Sequence, residues 1–243
     1  MLVTPKRNLL QRACNRALHG LGAKPFPVAF ECSLPEAGAE PATVFNAIYD
    51  AAYWGAEESK SGGGSELAAT EQYRPQLIRA IRWLGIKTMF DAPCGDLNWM
   101  PDVLDQVSVK YVGGDIAQEA IHTARERRPD LDIRLFDICA DEFPEADLWH
   151  CRDTLFHLSF ADIAKALNQA SKANIEYAAL TTHKAWMLRN LDIKTGGFRL
   201  LDLERPPLSF PRPRMYLRDY SPGRFPRFVG IWKMSDILER LRP

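Results

Sequence analysis

The chain has 243 residues, 46% of them apolar, which is enough to bury a full core, so we expect one domain with a short extension. Its 31 basic and 31 acidic residues balance, which argues against bulk nucleic acid as a partner, and no apolar run is long enough to span a bilayer. Five dispersed cysteines argue against a disulfide framework or a metal site and predict a reducing, cytoplasmic setting.

Residues 1–42 are predicted to form an extension in front of a main domain at 43–243. Basic residues in this extension precede every acidic one, and apolar residues accompany them at helical spacing. The pattern favours a basic surface helix on the domain or on a partner, with an organelle transit peptide as the alternative. Prolines mark residues 23–43 as an irregular connector. If the chain forms an oligomer, this helix is the first candidate for the contact.

Two helices are predicted on either side of a polar segment. The first begins near Thr43, and the second is expected to be capped by Ser65 and to run to Gly85. Residues 57–65 between them are rich in serine and glycine. On composition alone this segment is a flexible linker.

Four short apolar runs then follow, and each ends at an acidic residue: Asp91, Asp115, Asp137 and Asp153. Helical patterns over residues 98–106, 116–127 and from Ser159 onward separate or follow them. Strands that alternate with helices form a parallel sheet, whose carboxyl ends lie along one edge. The spacing therefore predicts that the four acids surround a single crevice.

A fifth strand is predicted at Tyr177–His183, after which proline becomes frequent. Residues 184–213 are predicted to overhang the crevice as a substrate-selecting insert, before an antiparallel hairpin of Met215–Tyr220 and Phe228–Lys233. The predicted fold class is α/β, a Rossmann-like doubly wound sheet of seven mostly parallel strands.

Three motifs carry a resemblance to a known family: Trp54–Ser65, Asp91–Met100 and Cys151–Ser159. They resemble the class I S-adenosylmethionine-dependent methyltransferases over roughly residues 45–237, most of all a bacterial subgroup with an Asp-x-Pro-Cys-Gly-Asp first motif and no assigned acceptor. Of the three glycines usual in that motif, only Gly95 is present here. The resemblance implies S-adenosylmethionine as cofactor but not which acceptor is methylated. Because the charge balance disfavours bulk nucleic acid, our hypothesis is an oxygen of a small-molecule or glycan-like acceptor, with a protein side chain as the alternative. The resemblance also favours a loop or lid over the cofactor for residues 57–65.

The resemblance implies a role for individual residues. Asp115 would bind the ribose hydroxyls, Asp91 and Gly95 would flank the methionine end, and Asp137 with Ile138 would meet the adenine. Arg74 would pair with the methionine carboxylate, unless it is simply a solvated arginine. The other expected cofactor contacts are Trp54, Ala92, Pro93, Cys94, Ile116, Cys151 and Arg152.

Two residues are candidates for catalysis. Asp153 would orient or deprotonate the acceptor, or only cap the next turn, while His157 would act as a base or only pack beneath the site. Two other functions compete. A nicotinamide-dependent oxidoreductase would need a Gly-x-Gly-x-x-Gly turn, which residues 91–96 lack. A catalytically inactive partner subunit of the same fold would have its crevice blocked by its own side chains.

Overall fold

The computed structural model describes residues 29–32, 39–184, 188–219 and 226–241. The strands in these ranges are β1 (Ala29–Phe30), β2 (Thr88–Asp91), β3 (Lys110–Asp115), β4 (Asp132–Leu135), β5 (Ala146–Cys151), β6 (Ile175–His183), β7 (Phe198–Arg199), β8 (Met215–Arg218) and β9 (Arg227–Lys233). The helices are α1 (Pro41–Asp50), α2 (Leu67–Thr70), α3 (Arg74–Leu84), α4 (Pro101–Leu104), α5 (Gln118–Arg127), α6 (Phe160–Ala170) and α7 (Met234–Leu241). The predicted basic N-terminal helix lies outside the described residues.

A seven-stranded sheet forms the centre of this described part of the chain, in the order β4-β3-β2-β5-β6-β9-β8. Strands β2 to β6 pair in parallel, and β9 runs antiparallel to both β6 and β8. The predicted fold class, with its antiparallel C-terminal pair, is confirmed. The short strands β1 and β7 form a separate antiparallel pair, so the predicted irregular connector contributes a strand.

Alternate residues of the central strands enter two different cores, one on each face of the sheet. Phe90 and Trp149 pack in the core that also takes residues of α1, α6 and α7. Their neighbours Met89 and Leu148 pack in the other core, with residues of α3, α4 and α5. Helices thus cover both faces, as expected for a doubly wound sheet.

The strand order reverses direction between β2 and β5. From β2 the chain builds outward through β3 to β4, and then returns to place β5 and β6 on the other side. Ligands of such sheets bind beyond the carboxyl ends of the strands at this point. The register places Asp91 of β2 beside His150 of β5 at that edge.

The helix predicted from Ser65 to Gly85 is wrong in its first half, because the structure has two helices, α2 and α3, in its place. Pro75 has no amide hydrogen with which to continue a helix from the preceding turn, and it occupies the first turn of α3 instead. Ser65 therefore caps no helix, and Glu66 precedes α2. The predicted end is correct, since Gly85 closes α3 in the left-handed conformation with φ 69°.

Other boundaries differ by smaller amounts. The helix predicted over 98–106 shrinks to α4, which Pro101 begins, and β5 ends at Cys151, two residues before Asp153. The cap at Ser159 is confirmed, since its hydroxyl accepts a hydrogen bond from Asp162 N. Helix α7 was not predicted. Within the described ranges, no helix is long and apolar enough to cross a membrane.

Candidate functional site

A cavity, partly open to solvent, lies at the carboxyl edge of the sheet. Asp91, Asp115, Asp137 and Asp153 all line it. The structure therefore brings together the four acids that the strand ends were expected to place around one crevice.

The lining also includes most of the other residues named from the sequence, namely Trp54, Pro93, Cys94, Gly95, Ile116, Ile138, Arg152 and His157. Arg74, Ala92 and Cys151 are not among the lining residues. Ala92 and Cys151 are completely buried in the core on one face of the sheet. In this structure both residues pack in the core, and the cofactor contact expected for them stays a prediction.

The expected position of Arg74 is corrected. Its Nη1 atom donates to the carbonyl oxygen of Leu67 at 3.0 Å and to Thr70 Oγ1 at 2.9 Å, and its Nε atom lies 3.6 Å from Asp102 Oδ2. Because helix α3 starts at Arg74 rather than at Ser65, this side chain turns back onto α2. The arginine that lines the cavity is Arg152.

Asp91 ends β2 with both carboxylate oxygens occupied. Oδ2 accepts a hydrogen bond from the Tyr111 hydroxyl at 2.7 Å, and Oδ1 lies 2.6 Å from His150 Nδ1. The Asp91 side chain is almost fully buried. Among the described residues, neither Lys nor Arg forms a salt bridge with it. A buried carboxylate thus faces the cavity supported by a tyrosine and a histidine.

Asp115 ends β3 and is held by backbone amides. Its Oδ2 atom accepts from Gly95 N and its Oδ1 atom from Ala117 N, both at 2.9 Å. Burial raises the pKa of Asp115 to about 6, although the two amide donors act in the opposite direction. Since each carboxylate oxygen has a second lone pair, Asp115 retains the capacity to accept hydrogen bonds from a diol.

The turn after β2 requires a glycine at position 95. Gly95 has φ 60°, and a Cβ atom there would lie 2.6 Å from Ser61 Oγ. The turn is anchored by Cys94 N, which donates to the carbonyl oxygen of Gly114 at 2.8 Å. The backbone of this turn therefore lies against the carboxylate of Asp115 and the side chain of Ser61.

Asp137 and Ile138 follow β4 and line the cavity beside Asp115. Asp137 Oδ1 accepts from Cys139 N at 2.7 Å, and burial raises the pKa of Asp137 above its usual value. Ile138 is 7% exposed. The pair thus offers an acceptor next to an apolar surface, which suits an aromatic ring that carries an exocyclic amine.

We call residues 57–65 the covering segment, because its Ser61 and Ser65 line the cavity. It is packed rather than a bare linker. Ser59 Oγ donates to Asp96 Oδ1 at 2.9 Å, and Asp96 N donates to Ser61 Oγ at 3.2 Å. The Ser61 hydroxyl also forms a hydrogen bond with the hydroxyl of Tyr49.

The C-terminal end of the covering segment contacts Arg152 and Asp153. Arg152 Nη2 donates to the carbonyl oxygen of Gly64 at 2.9 Å. A Cβ atom on Gly64 would lie 2.7 Å from Asp153 Oδ2, so only glycine permits this approach. The segment therefore contacts both the first motif and the end of β5.

A buried network of two arginines and two aspartates surrounds the end of β5. Asp219 accepts from Arg152 Nε at 3.0 Å and Nη2 at 2.9 Å, and Arg227 Nε lies 3.2 Å from Asp219 Oδ2. Arg227 Nη1 in turn donates to Asp153 Oδ2 at 2.8 Å. The planar guanidinium of Arg152 also lies over the rings of Tyr73 and Trp99. The four formal charges of this network cancel.

Asp153 is an anion fixed in this network. Burial raises the pKa of Asp153, but the cations of Arg152 and Arg227 outweigh burial and hold this pKa below its usual value. Its backbone has φ 56°, a left-handed conformation that aspartate tolerates better than most residues. Asp153 N also donates to Thr181 Oγ1 at 2.8 Å. The carboxylate is thus better placed to orient a group than to remove a proton.

His157 packs against Trp54, and both side chains line the cavity. Its ring stacks on that of Trp54 with the centroids 4.4 Å apart, and its Nδ1 atom lies 2.6 Å from the carbonyl oxygen of Gly197. Since a carbonyl only accepts, Nδ1 carries the proton and Nε2 is an acceptor. Burial lowers the pKa of His157 to about 4, so the ring is neutral near pH 7 and weakly basic.

Several lining residues were not found from the sequence, including Tyr49, Ser61, Trp99, His150 and Thr154. Only His150 had a signal, because it is the one polar residue in the run 148–151 of strand β5. The pattern of the first helix predicts an apolar stripe that includes Tyr49, and it gives no sign of the hydroxyl in the cavity. Trp99 lies in the first motif, where the pattern predicts only the start of a helix.

Solved methyltransferases share this fold at very low sequence identity. Magnesium protoporphyrin IX methyltransferase from Synechocystis PCC 6803, solved with S-adenosylmethionine, is 12% identical with a TM-score of 0.55, over 82% of this chain and 100% of that one. An S-adenosylmethionine-dependent methyltransferase from Clostridium acetobutylicum ATCC 824 is 10% identical with a TM-score of 0.52, over 67% of this chain and 91% of that one. No protein-family model and no curated protein sequence matches the chain. At such identities the likeness establishes a shared Rossmann-like fold.

Proposed function

We propose that the protein is an S-adenosylmethionine-dependent methyltransferase that acts on an oxygen of a small-molecule or glycan-like acceptor. One observation carries the proposal. Three carboxylates, those of Asp91, Asp115 and Asp137, line one side of the cavity, and among the described residues neither Lys nor Arg forms a salt bridge with any of them. Buried carboxylates without a cationic partner favour a ligand that brings a positive charge.

S-adenosylmethionine meets that requirement, because its ammonium and sulfonium groups outnumber its one carboxylate. A nicotinamide dinucleotide instead carries an anionic pyrophosphate, which three carboxylates would repel. The turn at residues 91–96 also lacks the glycine spacing that brings a pyrophosphate onto a helix start. The charge of the cavity and the sequence of its turn therefore both favour the sulfonium cofactor over NAD or NADP.

The lining residues fit such a cofactor part by part. Asp115 would accept from the ribose hydroxyls, and Asp137 with Ile138 would hold the adenine. Arg152 takes the place proposed for Arg74 at the methionine carboxylate. Its Nη1 atom makes only one salt bridge with the described residues, to Asp153 at 3.5 Å, so it retains donor capacity.

When bound, the cofactor would supply a methyl group that is already activated by the sulfonium. The protein would orient the acceptor and exclude water. Asp153 would accept a hydrogen bond from the substrate that receives the methyl group, and so fix the orientation of that substrate. Trp54 and His157 would form an aromatic wall. Because Asp153 and His157 are both weak bases, we expect an acceptor oxygen that loses its proton readily, such as that of a carboxylic acid or a phenol.

Calorimetry with S-adenosylmethionine, S-adenosylhomocysteine and NADH tests the cofactor. Asp115→Ala should abolish binding of the first two ligands. Asp147→Ala is the matched control, since Asp147 Oδ2 also accepts from two backbone amides, those of Lys87 and Thr88, and does not line the cavity. Failure of the folded wild-type protein to bind S-adenosylmethionine would refute the proposal.

Turnover is tested with S-adenosylmethionine labelled in its methyl group and a panel of carboxylic acids, phenols, sugars and amines. Label transfer to an oxygen acceptor supports the proposal, and transfer only to amines contradicts the choice of atom. A crevice blocked by the chain's own side chains was the expected sign of an inactive partner subunit, and the side chains that the structure describes leave this cavity open. Cofactor binding without transfer to any class of acceptor would nevertheless favour that alternative.

A further inference from the structure

His150 is an imidazole buried in β5, directly beside Asp91 of β2. The two residues are partners in the parallel register, and His150 Nδ1 lies 2.6 Å from Asp91 Oδ1. On the other side of the ring, Nε2 lies 2.9 Å from the hydroxyl of Tyr73. His150 is 1% exposed and Tyr73 is 0% exposed. These bonds are therefore made away from bulk water, where they are strong and costly to lose.

The chemistry of the partners indicates where the protons lie. An ionised carboxylate only accepts hydrogen bonds, so His150 Nδ1 must carry a proton. Nε2 bonds to the Tyr73 hydroxyl, which can donate to it or accept from it. Together with the Tyr111 hydroxyl, the bond from Nδ1 gives each oxygen of Asp91 its own donor.

We propose that His150 is a positioning residue for the cofactor, which fixes the Asp91 carboxylate in the orientation that meets the bound ligand. The inference rests on the proposed function. Both His150 and Asp91 line the cavity, whereas Tyr73 does not. The hydrogen-bonded chain thus runs from the packed interior to the wall of the cavity, and Tyr73 holds the ring against rotation.

A network that only stabilises the fold would show the same bonds. Loss of any member would destabilise the fold in either case, because it leaves a buried polar group without its partner. Two substitutions at His150 separate the alternatives. His150→Asn places an amide donor near the position of Nδ1, so it keeps the bond to Asp91 and loses the bond to Tyr73. His150→Gln reaches toward the position of Nε2, so it keeps the bond to Tyr73 and loses the bond to Asp91.

The measurements are the melting temperature and the dissociation constant for S-adenosylmethionine. We expect both variants to lose a similar amount of thermal stability, because each loses one buried hydrogen bond. The dissociation constant should rise about tenfold in His150→Gln and less than about threefold in His150→Asn. A structural role alone would change affinity in proportion to stability in both variants.

Tyr111→Phe provides an independent test that is almost isosteric, because it removes the other donor to Asp91 and nothing else from the side chain. It should also weaken cofactor binding by about tenfold. The matched control is Tyr216→Phe, which likewise removes a bond from a tyrosine hydroxyl to a carboxylate, that of Glu204, outside the cavity. This control should bind the cofactor as the wild type does.

The outcomes separate this inference from the proposed function. Suppose that the wild type binds S-adenosylmethionine. The positioning role is then overturned if the Asn and Gln variants bind this ligand equally well, or if Tyr111→Phe binds it as the wild type does. The proposed function stands in both cases. If the folded wild type does not bind S-adenosylmethionine, both are overturned. Tighter binding by Gln than by Asn would also overturn the positioning role, because the Gln variant is the one that loses the bond to Asp91.

Discussion

Substitution of a single glycine in the covering segment should reduce affinity for the cofactor. In Gly64→Ala the new Cβ atom would lie 2.7 Å from Asp153 Oδ2 and 3.6 Å from Arg227 Nη1. Asp153 cannot easily give way, because its carboxylate is bound to Arg227 and its backbone amide to Thr181. The covering segment must therefore move away from the end of β5.

The size of the effect follows from the bond that this movement breaks. Gly64 accepts from Arg152 Nη2 at 2.9 Å, and a hydrogen bond with a charged partner contributes about 1.5–3 kcal/mol. That range corresponds to about tenfold to a hundredfold in the population of the docked segment. Because Ser61 and Ser65 of the same segment line the cavity, we expect S-adenosylmethionine to bind at least about tenfold more weakly, as measured by calorimetry.

Gly63→Ala is the matched control, one residue earlier in the same segment. Its Cβ atom would have no neighbour closer than 4.0 Å, and both substitutions restrict the unfolded chain in the same way. Hydrogen exchange should show faster opening of residues 57–65 in Gly64→Ala only. Equal affinity of the two variants for the cofactor would refute the view that docking on Asp153 and Arg152 completes the site.

Three further outcomes are expected. Burial raises the pKa of Asp115 from 3.8 to about 6. The contribution of Asp115 to the free energy of unfolding should therefore fall as pH rises through this interval. The affinity for the cationic cofactor should rise over the same interval, because Asp115 becomes ionised. Calorimetry between pH 5 and 7.5 checks the second effect, and Asp115→Asn should bind without that dependence. Arg74→Ala should leave the dissociation constant for S-adenosylmethionine unchanged, because its guanidinium contacts α2 and lies outside the cavity. Asp219→Asn should destabilise the fold by about 3 kcal/mol in denaturant unfolding, because Arg152 and Arg227 lose a buried counter-charge.

Four of the five parallel strands were predictable because each is a short apolar run that leads to an acid, and the same rhythm correctly placed these acids at one edge of the sheet. The fifth parallel strand and the C-terminal antiparallel pair were predicted from the apolar runs that follow. Helix starts were less predictable. Pro75 and Pro101 each begin a helix that the apolar periodicity alone places earlier. The position of Arg74 was missed for the same reason.

The partners of the site residues could not be predicted, because they come from distant parts of the chain. Asp219 directly follows β8 and Arg227 begins β9, and both reach the end of β5 only through the order of the strands. The bond between Asp91 and His150 needs the parallel register, which sequence patterns do not specify. The spacing in the sequence therefore indicated which residues meet at the cavity. The hydrogen bonds and salt bridges that hold these residues depend on strand order and register, and only the structure gives them.

The two sides of the cavity are held together by different chemistry. On the side of Asp91 and Asp115, tyrosine, histidine and backbone amides hold the carboxylates, so their negative charge is not cancelled within the described chain. At the end of β5, each carboxylate is instead matched by an arginine. On the proposed function, the first side attracts a cationic cofactor, and its charge weakens the hold on the product once the sulfonium is lost. The second side presents fixed dipoles but no net charge, so an ionised acceptor oxygen can approach without repulsion from an unpaired carboxylate.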